Sequence, residues 1–167
     1  ADVMPFESID LVEGYNVINV PGNVKETSAY RSVNLIHDHM KLWMPDFTGL
    51  DFPLTTNIDV EGECNAFFDG LSINFFDNGG GCNPTFLIAD VVFHEYGHAI
   101  NSYYYNSLGA FFNNGAMGEG YADFWAISLA DIAEIGKGFY EENNDGIRRY
   151  DENPKVYPED LVGEVHA

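Results

Sequence analysis

The 167 residues suffice for one domain with a real core, and a hydrophobic share of 46% excludes a disordered polymer. With 27 acidic against 7 basic side chains the formal net charge is −20, which argues against a nucleic-acid or anionic-membrane partner. The same acid excess favours cations such as calcium (Ca2+), although a solvated acidic surface is the stronger reading of it.

The first predicted element is a strand over Tyr15–Val20, closed by a turn at Pro21-Gly22-Asn23. Apolar positions at Tyr30, Val33, Leu35, Ile36, Met40 and Trp43 predict a helix from Ser28 to Met44, which Pro45 stops. His37 and His39 lie two apart in that helix, share no face, and read as structural. Loop and strand follow from Pro45 to Glu63. The runs Asn65–Phe68 and Leu71–Phe76 around Asp69-Gly70 predict a hairpin, with a flexible Asp77–Gly81 loop beyond it. Cys64 and Cys82 flank this hairpin and could close a disulfide in an oxidising compartment; two buried free thiols are the alternative. Neither belongs to a C-x-x-C pair, which argues against a cysteine zinc site.

A second helix is expected to open at Pro84-Thr85, with Thr85 as its N-cap, and to carry the apolar run Phe86–Tyr105. A loop at Asn113-Asn114-Gly115 precedes a third helix, Met117–Ile135, stopped by Gly136-Lys137-Gly138. The tail from Phe139 to Ala167 is acidic and irregular. The organisation is thus one α+β domain over 1–167: mainly β with one helix over 1–83, two helices over 84–138, and the tail over 139–167. No apolar run is long enough to span a membrane. Ala1-Asp2-Val3-Met4-Pro5 has neither the basic nor the apolar region of a signal peptide, so the expectation is a processed or excised piece of a longer precursor.

The chemistry is concentrated in His94-Glu95-Tyr96-Gly97-His98, an H-E-x-x-H motif inside the second helix. Residues four apart share a helix face, so both imidazoles can reach one metal ion, with Glu95 beside them as a proton acceptor. A catalytic zinc site needs a third protein ligand. The metzincin pattern would put a third His at Tyr104 and a Gly at Asn101, so that pattern fails. The candidate is Glu119, 21 residues after His98, and Asp123 shares its face one turn on, where a carboxylate can accept the N–H of a metal-bound imidazole. Asp90, one turn before His94, reads equally as a support for the site, a calcium ligand or a capping acid.

These stretches resemble the gluzincin metallopeptidases of the thermolysin and fungalysin type. Ala89–His98 resembles the zinc helix, Gly115–Asp123 is similar to the glutamate helix, closest to the fungalysin wording, and Asn65–Phe68 resembles the edge strand that pairs with bound peptide. The resemblance implies a thermolysin-like zincin fold: a mixed sheet with an edge strand, then the zinc helix and the glutamate helix. The chain stops one residue after His166, so the family's C-terminal helical lobe is expected to be largely absent. It further implies Zn2+ held by His94, His98 and Glu119, Glu95 as general base, Asp123 as partner of a zinc-bound His, and Asn65 and Ala66 on the substrate backbone. Ile147–Tyr150 looks like the segment with a substrate-binding arginine, either Arg148 or Arg149. Gly163–His166 looks like the segment with a histidine that steadies the tetrahedral intermediate; a frayed terminal residue is the other reading of His166. The implied activity is that of a secreted, monomeric zinc endopeptidase acting on peptide or protein. The alternative is a truncated or inactive peptidase-fold module that holds zinc and peptides without turnover.

Overall fold

The computed structural model describes residues 24–111, 115–152 and 156. The expected strand over Tyr15–Val20, its turn at Pro21, and His166 lie outside the described residues. In chain order the elements are α1 (Val24–Trp43), β1 (Thr55–Val60), β2 (Ala66–Phe68), β3 (Ser72–Phe76), a 3-10 turn (Thr85–Leu87), α2 (Ala89–Ser107), α3 (Gly115–Ala130), β4 (Glu134–Ile135) and β5 (Arg148–Arg149). The α+β class expected from the sequence is the one observed.

Helix α1 begins four residues earlier than its apolar pattern indicates and ends ahead of Pro45, which has no N–H to continue the ladder. Its buried stripe is Ala29, Ser32, Ile36 and Met40, whereas Tyr30, Leu35 and Trp43, counted as inward from the sequence, face outward. Neither histidine of α1 belongs to the group formed by His94, His98 and Glu119: His37 Nε2 is 3.2 Å from Asp51 Oδ1 and its ring lies edge-on to Tyr96, with centroids 6.5 Å apart, and His39 Nε2 is 3.0 Å from Ser128 Oγ.

The expected hairpin forms. Strand β2 pairs antiparallel with β3, and β1 pairs parallel with β3 on the other side, giving the order β1-β3-β2. Strand β3 is therefore central, with Ser72, Ile73, Asn74 and Phe75 all buried, while β2 is an edge. Asp69 caps the turn: its carboxylate accepts the N–H groups of Leu71 and Ser72, and these bonds hold its pKa down at about 2. The core runs from β3 through Phe86 to Val92, Tyr96, Ala99 and Ile100 of α2 and Ile36 and Met40 of α1.

Three boundary expectations need correction. Thr85 does not cap α2. Its hydroxyl serves the carbonyls of Asn65 and Phe76 at 3.1 and 3.2 Å, a 3-10 turn intervenes, and α2 starts at Ala89 with no side-chain cap. Helix α3 stops at Ala130 rather than Ile135, because Asp131 takes a left-handed φ of 55° and ends the helical run. The tail is not wholly irregular: β5 pairs antiparallel with β4, with Ile135 opposite Arg148.

Helices α2 and α3 touch at Gly97. A Cβ built there would sit 2.9 Å from Ala122 Cα and 3.1 Å from Ala122 O, which is backbone and cannot yield like a side chain. Gly97→Ala is accordingly expected to force the two helices apart, destabilising the fold by about 1–3 kcal/mol. Thermal melting of parent and variant checks it; superimposable melts would mean that the helices do not depend on this close approach.

Candidate metal centre

The close α2–α3 contact at Gly97 has a direct consequence one turn away. His94 and His98 sit on the face of α2 turned to α3, and Glu119 lies in the first turn and a half of α3. The three ligating atoms converge: His94 Nε2 and His98 Nε2 are 3.1 Å apart, and Glu119 Oε2 lies 3.2 Å from the first and 3.4 Å from the second. Among the described residues this is the one group of three or more His, Cys, Asp or Glu side chains close enough to share an ion. A tetrahedral ion with bonds of about 2.0–2.1 Å spaces its ligand atoms about 3.3 Å apart, so the donor set fits a zinc-sized ion.

Asp123 orients the first of these ligands. Its Oδ1 stands 2.6 Å from His94 Nδ1, which leaves Nε2 aimed at the convergence point. Arg148 clamps the same carboxylate with two bonds, Nε to Oδ2 at 2.8 Å and Nη2 to Oδ1 at 2.7 Å, and the Tyr150 hydroxyl donates to Oδ2. Asp123 is thus a fully buried hub, 1% exposed, joining α2, α3 and β5. Burial alone would raise its pKa, but the bonds to His94 and Arg148 outweigh it and hold it at about 2. Burial would likewise lower the pKa of His94; the hydrogen bonds of Asp123 and Glu119 and the charge of Glu95 reverse that and lift it to about 9. Glu119 is driven the other way: burial raises its pKa, yet the two imidazoles pull it well below the usual carboxylate range.

Glu95 is buried beside this group, and its pKa is raised, first by desolvation and then by the Glu119 charge, against the pull of both imidazoles. A carboxylate whose proton affinity is raised is better suited to accept a proton than one at its ordinary value.

The site opens into a cavity of about 1030 Å³. One wall is the edge strand from Cys64 to Phe68; another carries Phe139, Tyr140, Ile147 and Arg148. Bonds from Phe76 N–H to Asn65 O and from Asp69 N–H to Ser72 O mark residues 65 and 69 as facing β3. By the alternation of an antiparallel ladder, Ala66 and Phe68 turn their N–H and C=O groups outward from the sheet. Asn65 and Ala66 both line the cavity.

The two arginines separate cleanly. Arg148 is in the cavity wall, whereas Arg149 points out to Asp151, Glu134 and Glu152 and does not line it. The disulfide between Cys64 and Cys82 is formed. Asp90 does not approach the ligand group. One of its oxygens accepts the Gly136 N–H at 2.9 Å, and the other is buried with no hydrogen-bond partner, so burial raises its pKa. Sequence reading missed Arg148 and Tyr150 as partners of Asp123. The signal was there in principle, since a buried carboxylate needs more donors than one imidazole supplies.

No protein-family profile matches the sequence, and no curated protein matches it. Among solved structures, the precursor of protealysin, a metalloproteinase from Serratia proteamaculans, is similar in fold, with a TM-score of 0.60 at 21% sequence identity over 79% of this chain. The chain spans 46% of that protein's length. The fold is therefore a mixed α+β one similar to that of the protealysin precursor, and within it lies a His-His-Glu group able to hold a metal ion.

Proposed function

We propose that the chain is a zinc-dependent metalloendopeptidase of the gluzincin type, with His94, His98 and Glu119 as ligands. The observation that carries this reading is the mutual spacing of their three ligating atoms, 3.1, 3.2 and 3.4 Å, with Glu95 adjacent. Zinc in such a site brings the pKa of water toward about 7 and polarises a carbonyl oxygen. The chain's own residues do the rest. Glu95 takes the proton of the attacking water and passes it to the leaving nitrogen. Asp123 keeps the proton of His94 on Nδ1. Arg148, fixed by Asp123, has N–H donors beyond the two that Asp123 engages, and these would meet a substrate carbonyl at the cavity wall. The outward backbone groups of Ala66 and Phe68 accept an extended peptide as an added strand.

A disulfide-bonded chain suits a secreted protein, and the reading completes as one acting there as a monomer on peptide substrates. The test is turnover of a fluorogenic peptide by the full chain before and after a chelator, with zinc restored afterwards. Loss and recovery of activity are expected. Zinc and peptide binding without turnover would make it a binding module instead, and absence of zinc after purification and reconstitution would refute the ligand set.

A further inference from the structure

We infer that the Cys64–Cys82 disulfide is a clamp that holds the edge strand β2 in position to receive substrate, so that it governs peptide capture rather than the metal or the proton chemistry. What β2 receives rests on the peptidase reading above; the clamp itself does not. Cys64 lines the cavity and immediately precedes Asn65 and Ala66. It takes a left-handed φ of 52°, a conformation that costs a non-glycine residue and persists only where its surroundings enforce it. Cys82 is buried and joined to a different part of the wall: it bridges to Tyr140, while Asn83 N–H bonds to Phe139 O at 2.8 Å and Glu141 N–H to Gly81 O at 2.9 Å.

The bridge therefore couples two segments far apart in sequence, 64–68 and 139–140, that both wall the cavity. Packing at the bridge is tight. Gly80, at φ +59°, already brings its backbone so near that an added Cβ would lie 3.2 Å from Cys64 Sγ and 2.8 Å from Glu63 Oε2. His94, His98 and Glu119, by contrast, hang on α2 and α3, which meet at Gly97 through Ala122 and Trp125 rather than through the bridge. Short β2 has only three residues with which to hold its place, and the bridge fixes its leading end.

The experiment compares the full chain with Cys64→Ser/Cys82→Ser. Zinc content and the circular dichroism spectrum should match the parent. For a hexapeptide substrate KM should rise on the order of tenfold with kcat within about twofold, while a blocked dipeptide too short to pair with β2 should keep its KM. Hydrogen exchange should quicken over residues 64–68 and 139–141 and stay unchanged in α2. If the variant does not fold, the folded parent is reduced with a phosphine and the same exchange measured. Unchanged exchange over 64–68, or a loss that falls on kcat and zinc content instead of KM, overturns the inference. Should the parent itself turn over no peptide, the peptidase reading fails and the exchange measurement alone decides the clamp.

Discussion

Glu95→Gln is expected to retain zinc at the parent's stoichiometry and to hydrolyse peptides about 10²- to 10⁴-fold more slowly, the range that a positioned general base contributes. Glutamine preserves the volume and one acceptor oxygen of a side chain that is only 5% exposed, so the fold and the ligand spacing should survive. What it removes is the basic carboxylate. In the parent, burial and the nearby Glu119 raise the affinity of Glu95 for a proton, and the imidazoles of His94 and His98 keep that affinity from rising further. Glutamine supplies nothing that titrates. Elemental analysis and a fluorogenic-peptide assay on the same preparation make the comparison. Parent-level turnover would remove Glu95 from the mechanism. A variant without zinc would show that this carboxylate supports the ligands rather than the proton transfer.

The parts of this site that were legible in the sequence are those set by local geometry. His94 and His98 stand four apart on one helix, as do Glu119 and Asp123 on the next, and helical period alone brings each pair to a common face. The hairpin was legible for a similar reason, since Asp69-Gly70 between two apolar runs sets the register of β2 against β3, whereas the edge position of β2 came only with the family resemblance. The choice between Arg148 and Arg149 was not legible. A two-residue strand has no periodicity to read, and which arginine turns inward depends on β5 pairing with β4 across a loop. The end of α3 was hidden too: Ile132 and Ile135 continue an apolar pattern, yet Asp131 leaves the helical region and the chain is redirected into β4. Thr85 reads as a cap because hydroxyls favour that position, but two carbonyls from the hairpin compete for its proton and win.

Asp123 is where these levels meet, and Asp123→Ala is expected to be among the most damaging single changes, destabilising the chain by about 3–5 kcal/mol, the cost of breaking a buried ion pair from one side. The substitution strands the Arg148 guanidinium, removes the acceptor of the Tyr150 hydroxyl and releases the Nδ1 side of His94 at once. The effect has a pH signature in the metal-free chain. Because the Asp123 pKa is depressed to about 2, its stabilisation is fully present above its ordinary 3.8 and is lost as pH falls through about 2. The His94 pKa is raised to about 9, so its stabilisation is complete below its ordinary 6.5 and is lost as pH rises through about 9. The parent should therefore be most stable from roughly pH 4 to 6.5 and decline on both sides. Asp123→Ala should flatten the alkaline flank as well as the acid one, since His94 loses the first of the bonds that lift its pKa. Asp123→Asn, which keeps the shape and drops the charge, should fall between the two. Chemical denaturation of the three proteins across this range, with metal withheld, reads the curves directly. An alkaline flank left intact in Asp123→Ala would show that Glu119 and Glu95 sustain the imidazolium without Asp123, and that the carboxylate at the centre of α2, α3 and β5 is a packing feature without electrical consequence for His94.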